Sequence, residues 1–253
     1  MYVGVLMVKH VLLDWFGTLC DPEIMNERYP LVLSSILKEW FGGSLDSWLR
    51  AERLTYKWYE KYWFSRIGRG DFLKAFRETQ ILWVKRLFNL AGVDPSLTDD
   101  EYFQLSQRLD YEVTSKIHAI YPDVKKCLEE LKNLNVRLYL STGNSSASVL
   151  GALKASGIVS YFDGIFTSEL FNAWKGSRKF WLSITEALRD KSSSCIIVDD
   201  ELSVLSAAKE LGHVCVLIDR RRSVSNVGDK VDFIIFELDY LLPIVEAFKG
   251  IMR

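Results

Sequence analysis

Short apolar runs that end on small polar residues recur through much of this chain. Residues 8–13 form a β-branched and leucine run that leads into Asp14 and then Gly17, the pattern of a buried strand carrying a polar residue at its carboxyl end. Comparable runs at 136–141, 164–167, 195–198, 214–218 and 231–236 predict five further strands. Between and after them, apolar positions spaced for one helix face predict helices at 123–133, 145–156, 177–189 and about 240–249. Strands alternating with helices of about 10 to 15 residues favour right-handed βαβ units, so the expected fold is α/β with a Rossmann-like, mainly parallel sheet.

From residue 21 to residue 111 the alternation stops. Aromatic helical patterns such as 44–63 and 71–90 occupy this stretch, and no strand is predicted among them. The chain therefore divides into an α/β core built from 1–20 and 112–253 and an inserted all-helical domain, 21–111. Trp40, Trp48, Trp58, Trp63 and Trp83 fall in the insertion; most of them are expected in its core, with substrate-facing positions as the alternative for some. No internal repeat or low-complexity segment interrupts either part.

Composition narrows the function classes. With 253 residues, 49% apolar and 26% charged, the chain can bury a substantial core, and its composition argues against disorder. A formal net charge of −1 gathers no polyanion, which argues against nucleic acid or an anionic membrane surface and for a small-molecule substrate. Monomer and homodimer are both compatible with these numbers. Cys20, Cys127, Cys195 and Cys215 have no paired C-x-x-C spacing and read as buried thiols. Residues 1–13 carry no basic leader, no small-residue cleavage site and no bilayer-length apolar stretch, so a reducing, cytoplasmic location is expected.

The candidate chemistry lies at the strand ends: Asp14 after the first strand, Thr142, Gly143 and Asn144 after the second, and Asp199 with Asp200 after the run 196–198. Ligands of parallel sheets gather at carboxyl ends. One acidic residue in such a place is more often a helix cap or a loop solvator; three clusters on one sheet edge are harder to assign that way.

These residues resemble the motifs of the haloacid dehalogenase superfamily. The segment 11–19, V-L-L-D-W-F-G-T-L, resembles its first motif, a nucleophilic aspartate before a Gly-Thr turn, here Gly17 and Thr18. The segment 138–144, L-Y-L-S-T-G-N, is similar to the second motif, with Thr142 as its terminal hydroxyl and Ser141 as the other register. Lys175, in W-K-G-S-R-K-F-W, looks like the third-motif lysine, although Gly176 replaces the usual proline and Lys179 competes with it. The segment 195–212, C-I-I-V-D-D-E-L-S-V-L-S-A-A-K-E-L-G, resembles the acidic fourth motif and its helix, with Asp200 as principal acid. The likeness spans the core, while the helical insertion matches by position only, where the family carries its smaller cap.

The resemblance implies a magnesium-dependent phosphatase acting on a small phosphate ester or acyl phosphate. Magnesium prefers octahedral oxygen ligation with several waters and one or two carboxylates. Asp14, the backbone carbonyl of Phe16 and Asp200 would hold it, with Asp199 nearby. Asp14 would attack phosphorus to form an aspartyl phosphate that water then hydrolyses. Thr142 would hold a phosphoryl oxygen, the Gly17–Thr18 and Gly143–Asn144 turns would line the phosphate site, and Lys175 would offset the developing charge.

Two positions depart from that pattern. Family phosphatases carry a second aspartate two places after the nucleophile, serving as general acid and then base; here it is Phe16. Losing a positioned acid or base costs about 10² to 10⁴ in rate, which aryl and acyl phosphates suffer less than alkyl ones. Haloacid dehalogenases of the superfamily carry an aromatic residue there because halide leaves unprotonated, but they need no metal and have serine and asparagine in the fourth motif. A metal-independent 2-haloacid dehalogenase is thus the alternative, and a ligand-binding member without turnover is a third. The fourth motif's later acid is also missing, since Ser203 and Val204 stand where it would fall.

Within the insertion, the loop 65–70, S-R-I-G-R-G, offers Arg66 and Arg69 as a bidentate anion clamp, although glycine-rich turns with solvated arginines are the commoner case. His10, His118 and His213 share no metal-ligand spacing. Arg220, Arg221 and Arg222 follow a predicted strand and read as a solvated loop.

Overall fold

The computed structural model describes residues 8–250, so the reading of the amino-terminal residues 1–7 lies outside the described residues. Its elements, in chain order, are β1 (His10–Leu13), α1 (Pro22–Phe41), α2 (Leu45–Phe64), α3 (Phe72–Ala91), α4 (Asp99–Thr114), α5 (Val124–Asn133), β2 (Arg137–Thr142), α6 (Ser146–Ser156), β3 (Gly164–Thr167), α7 (Ser168–Phe171), α8 (Arg178–Leu188), β4 (Cys195–Asp199), α9 (Leu202–Lys209), β5 (Val214–Ile218), β6 (Phe233–Ile235) and α10 (Leu241–Phe248).

All six strands join one parallel sheet in the order β3-β2-β1-β4-β5-β6. Every residue of β1, β4 and β5 is buried, which explains their unbroken apolar runs: strands covered on both faces have no polar side to alternate with. The edge strand β6 is mostly exposed. The chain leaves β1 for β2 and β3 on one side and returns for β4 on the other, and this reversal puts the topological switch point between β1 and β4, at whose carboxyl ends ligands of such sheets gather.

The described chain forms two compact units. The α/β unit comprises the residues up to Asp21, Ile120–Gly143 and those from Ile158 onward. One core cluster packs Leu12, Ile197 and Leu217 of the sheet against Phe180, Trp181 and Ile184 of α8 and Leu205 of α9. The helical unit comprises Pro22–Ala119 and Asn144–Gly157, so the boundary placed at 111 falls inside α4. Its core sets Trp48 and Phe41 edge-on against Phe88, with ring centroids 5.2 and 4.8 Å apart. Trp48 and Trp83 are buried, whereas Trp40, Trp58 and Trp63 are half-buried.

Helix α6 is the departure from the βα pattern. It groups with the helical unit because Gly151 lets α4 approach closely: a methyl there would collide with Thr114 Oγ1 and the Tyr111 carbonyl. Thr114 Oγ1 also donates to the Ser148 carbonyl at 2.8 Å, and Ser145 Oγ to Asp110 Oδ2 at 2.7 Å. Ser44, Asp71 and Ser145 cap α2, α3 and α6 by accepting from the third residue on, and Thr98 with Glu101 forms a capping box on α4.

Candidate active site

Sheet register brings the first acids together. Leu13 pairs with Val198 of β4 and with Leu140 of β2, so Asp14, one residue on, is level with Asp199 and Ser141. The Asp14 amide donates to the Val198 carbonyl at 3.0 Å, which holds the nucleophile candidate on the sheet rather than in a free loop. Ser141 and Thr142 are both fully buried, and the Ser141 hydroxyl has no hydrogen-bond partner among the described residues.

After Asp14 the chain turns tightly. The Trp15 carbonyl accepts from the amides of Leu19 and Cys20, and the Cys20 carbonyl accepts from the Gly17 amide at 2.9 Å. Gly17 has φ +74°, and its Cα lies directly beneath the Asp200 carboxylate, where a side chain would collide. The carbonyls of Trp15, Thr18, Leu19 and Cys20 all accept hydrogen bonds, while that of Phe16 accepts none among the described residues. Phe16 itself is half-buried and Thr18 fully buried.

Lys175 reaches this cluster and Lys179 does not. The Lys175 ammonium pairs with Asp14 Oδ1 and lies 2.6 Å from Asp199 Oδ2, whereas exposed Lys179 donates to the Asn172 carbonyl. Burial alone would lower the Lys175 pKa, but the two carboxylates more than offset it and hold the ammonium protonated. Burial pushes Asp14 up, against the pull of Lys175 and reinforced by Asp199 and Asp200. Asp200 is exposed as a residue, but partial withdrawal of its carboxyl group from water, followed by the charges of Asp199 and Glu201, pushes it up to about 7.

Asp14, Asp199 and Asp200 each present an oxygen, and these oxygens lie within 4.8 Å of one another. With all three ionised, each such pair would repel by about 3–4 kcal/mol at an effective dielectric of about 20, and Lys175 pairs with two of the three. An all-oxygen set with one uncommitted backbone carbonyl beside it fits a hard divalent cation. Asp199 is the most committed member, since its Oδ1 also accepts from the Glu201 amide at 2.9 Å.

Of the remaining candidates, Gly143 stays beside this cluster, since a Cβ added there would meet Lys175 Cβ at 3.8 Å. Gly143 closes the β2 segment of the α/β unit and Asn144 begins the helical unit's second segment. Arg66 is engaged inside the helical unit, bonded to Glu78 at 2.8 Å and to the Tyr62 hydroxyl at 2.6 Å; Arg69 is exposed. His213 is buried, with its pKa lowered to about 4 by that burial. Arg220 departs from the solvated-loop reading: its side chain is 11% exposed and bonded to the carbonyl of Thr18. Its partners lie 97 and 202 positions away, beyond any local pattern. All four cysteines are free and buried, and no described helix is long and apolar enough to cross a membrane.

The chain matches the family model of haloacid dehalogenase-like hydrolases over residues 8–212. It is 23% identical over 203 residues to Protein SUPPRESSOR OF QUENCHING 1, chloroplastic, of Arabidopsis thaliana, a match covering 80% of this chain and 17% of that protein. It is 28% identical over 141 residues to Phosphatase MT3486 of Mycobacterium tuberculosis (strain CDC 1551 / Oshkosh), covering 55% and 61%. The matched regions are thus less than two thirds of either relative. A phosphatase from Thermococcus onnurineus superposes with TM-score 0.61 at 24% identity over 95% of this chain and 99% of that one. The L-2-haloacid dehalogenase of Xanthobacter autotrophicus gives 0.57 at 16% over the same shares. Both share the fold.

Proposed function

Because the chain belongs to the haloacid dehalogenase-like hydrolases, we propose that it is a magnesium-dependent phosphatase of small aryl or acyl phosphates, working through an aspartyl phosphate on Asp14. The observation that carries this reading is the convergence of Asp14, Asp199 and Asp200 within 4.8 Å. A dehalogenase working without metal has no use for three mutually repelling carboxylates at the point of attack.

Asp14, Asp200 and the Phe16 carbonyl would hold the ion. Its chemistry is to shield the approach of one anion to another and to stabilise charge on the phosphoryl oxygens. The chain's own residues do the rest. Asp14 Oδ forms a bond to phosphorus as the bond to the leaving oxygen breaks. Lys175, held between Asp14 and Asp199, opposes the protonation of Asp14 that burial favours and balances charge on the transferred group. The Thr142 hydroxyl donates to a phosphoryl oxygen. Water then attacks the aspartyl phosphate, releasing phosphate and restoring the Asp14 carboxylate. With Phe16 where an acid would stand, the leaving group departs unprotonated, which selects aryl and acyl phosphates.

Phe16 is also the observation that favours the second reading, 2-haloacid dehalogenation. The two separate in one experiment: phosphate release from p-nitrophenyl and acetyl phosphate with magnesium or EDTA, beside halide release from a 2-haloacid in EDTA. Magnesium-dependent phosphate release supports the first reading; halide release that persists in EDTA replaces it with the second.

A further inference from the structure

The turn that carries Phe16, Gly17 and Thr18 is held from outside by a residue that plays no part in the reaction proposed above. Asp219 follows β5 and folds the next loop back on itself, its carboxylate accepting from the amides of Ser223 and Val224 at 3.0 and 2.8 Å. That fold presents Arg220 inward. Its Nη2 and Nε donate to the Thr18 carbonyl at 2.7 and 3.1 Å, and its Nη1 and Nη2 form a bidentate pair with Asp123 at 3.0 and 3.1 Å. The guanidinium lies over the Tyr121 ring, its carbon 3.8 Å from the centroid. The Tyr121 amide in turn donates to the next carbonyl of the turn, that of Leu19, at 3.0 Å. Asp123 is itself anchored, accepting from the Leu238 amide at 2.8 Å.

We propose that Arg220 is a positioning residue for the nucleophile turn, setting the Phe16 carbonyl and Gly17 against Asp200 and thereby the affinity of the site for its divalent cation. The chain of contacts is short. The guanidinium fixes the Thr18 carbonyl; Thr18 follows Gly17, whose Cα supports the Asp200 carboxylate; Phe16, whose carbonyl is uncommitted, precedes it. A lysine retains the charge but lacks the planar fork that joins a carbonyl to a carboxylate. The cation-binding part of this inference rests on the phosphatase reading; the restraint of the turn does not.

The test uses Arg220→Lys in the full chain, with Asp123→Asn as the second variant should the first fail to fold. Two readouts are needed: hydrogen exchange of a peptide covering residues 14–20, and the magnesium concentration giving half-maximal binding, followed by titration calorimetry and by p-nitrophenyl phosphate turnover. Losing one charge-assisted hydrogen bond is expected to speed exchange of that peptide and raise the magnesium requirement, each about tenfold, with exchange in β4 and β5 unchanged. Exchange within about twofold of wild type would overturn the inference. Faster exchange with an unchanged magnesium requirement would overturn its link to the cation. A wild-type protein that neither binds magnesium nor turns over the ester would sink the phosphatase reading and the cation link with it, while the exchange result would still decide whether Arg220 holds the turn.

Discussion

The carboxylate of Asp200 occupies the space that a side chain on Gly17 would need. The two residues are far apart in the chain, yet the positive φ of one permits the seat of the other. Glycine is therefore required twice over, for its backbone conformation and for its missing Cβ. Gly17→Ala is expected to displace Asp200 and to strain the backbone by about 1–2 kcal/mol. Magnesium-titrated turnover should show a raised metal requirement and a lower kcat, with thermal unfolding lowered by only a few degrees. Unchanged metal dependence would separate Gly17 from the site.

Lys175 and Lys179 were competing candidates from sequence, and their contacts divide them. Removing Lys175 leaves Asp14 and Asp199 without their common cation in a buried setting. Lys175→Met should cost about 10² to 10³ in kcat/KM, whereas Lys179→Met, which gives up one exposed bond to a carbonyl, should leave it within about twofold. Equal effects of the two substitutions would contradict the assignment.

On the proposed phosphatase reading, Phe16 would set the leaving-group preference. For the wild-type chain, turnover is expected to fall steeply from p-nitrophenyl to phenyl to alkyl phosphates. Phe16→Asp supplies an acid at the missing position and should raise alkyl phosphate turnover by about 10²-fold or more while changing p-nitrophenyl phosphate far less, because a general acid is worth about 10² to 10⁴ only where the leaving group needs a proton. A uniform change across the series would mean that Phe16 acts on binding alone.

His213 makes the fold acid-sensitive. It packs 6.0 Å from the Trp181 ring and is 1% exposed, and burial lowers its pKa to about 4. The unfolded chain, with its histidine near 6.5, binds the proton that the folded chain rejects. Stability is therefore full above about pH 6.5 and is lost as pH falls towards 4. From pH 7 to pH 5 this amounts to about 2 kcal/mol. In urea unfolding, His213→Leu should show a pH 7 to pH 5 loss smaller by that amount; an equal loss in both proteins would refute it.

The strands were legible because burial on both faces writes itself as unbroken apolar runs, as in 195–198 and 214–218. The acids at their ends were legible for the same reason, since a polar residue that interrupts such a run stands out. What stayed hidden depends on distant partners. Residues 145–156 have the spacing of any βα helix, and only the contact of Gly151 with Thr114 and Tyr111 draws α6 to α4. Arg220 sits in a basic triplet of ordinary appearance, and its role arises from the Thr18 carbonyl, a backbone atom that no side-chain pattern can announce. The choice between Asp199 and Asp200 likewise depends on which one Lys175 engages.

On the proposed mechanism, Asp14 attacks phosphorus with the help of a divalent ion. Its most direct test is hydrolysis of p-nitrophenyl phosphate by the purified chain, with and without magnesium, beside Asp14→Asn. Turnover is expected to require magnesium and to be lost in Asp14→Asn. Turnover that persists in EDTA, or that survives the loss of the Asp14 carboxylate, would contradict it.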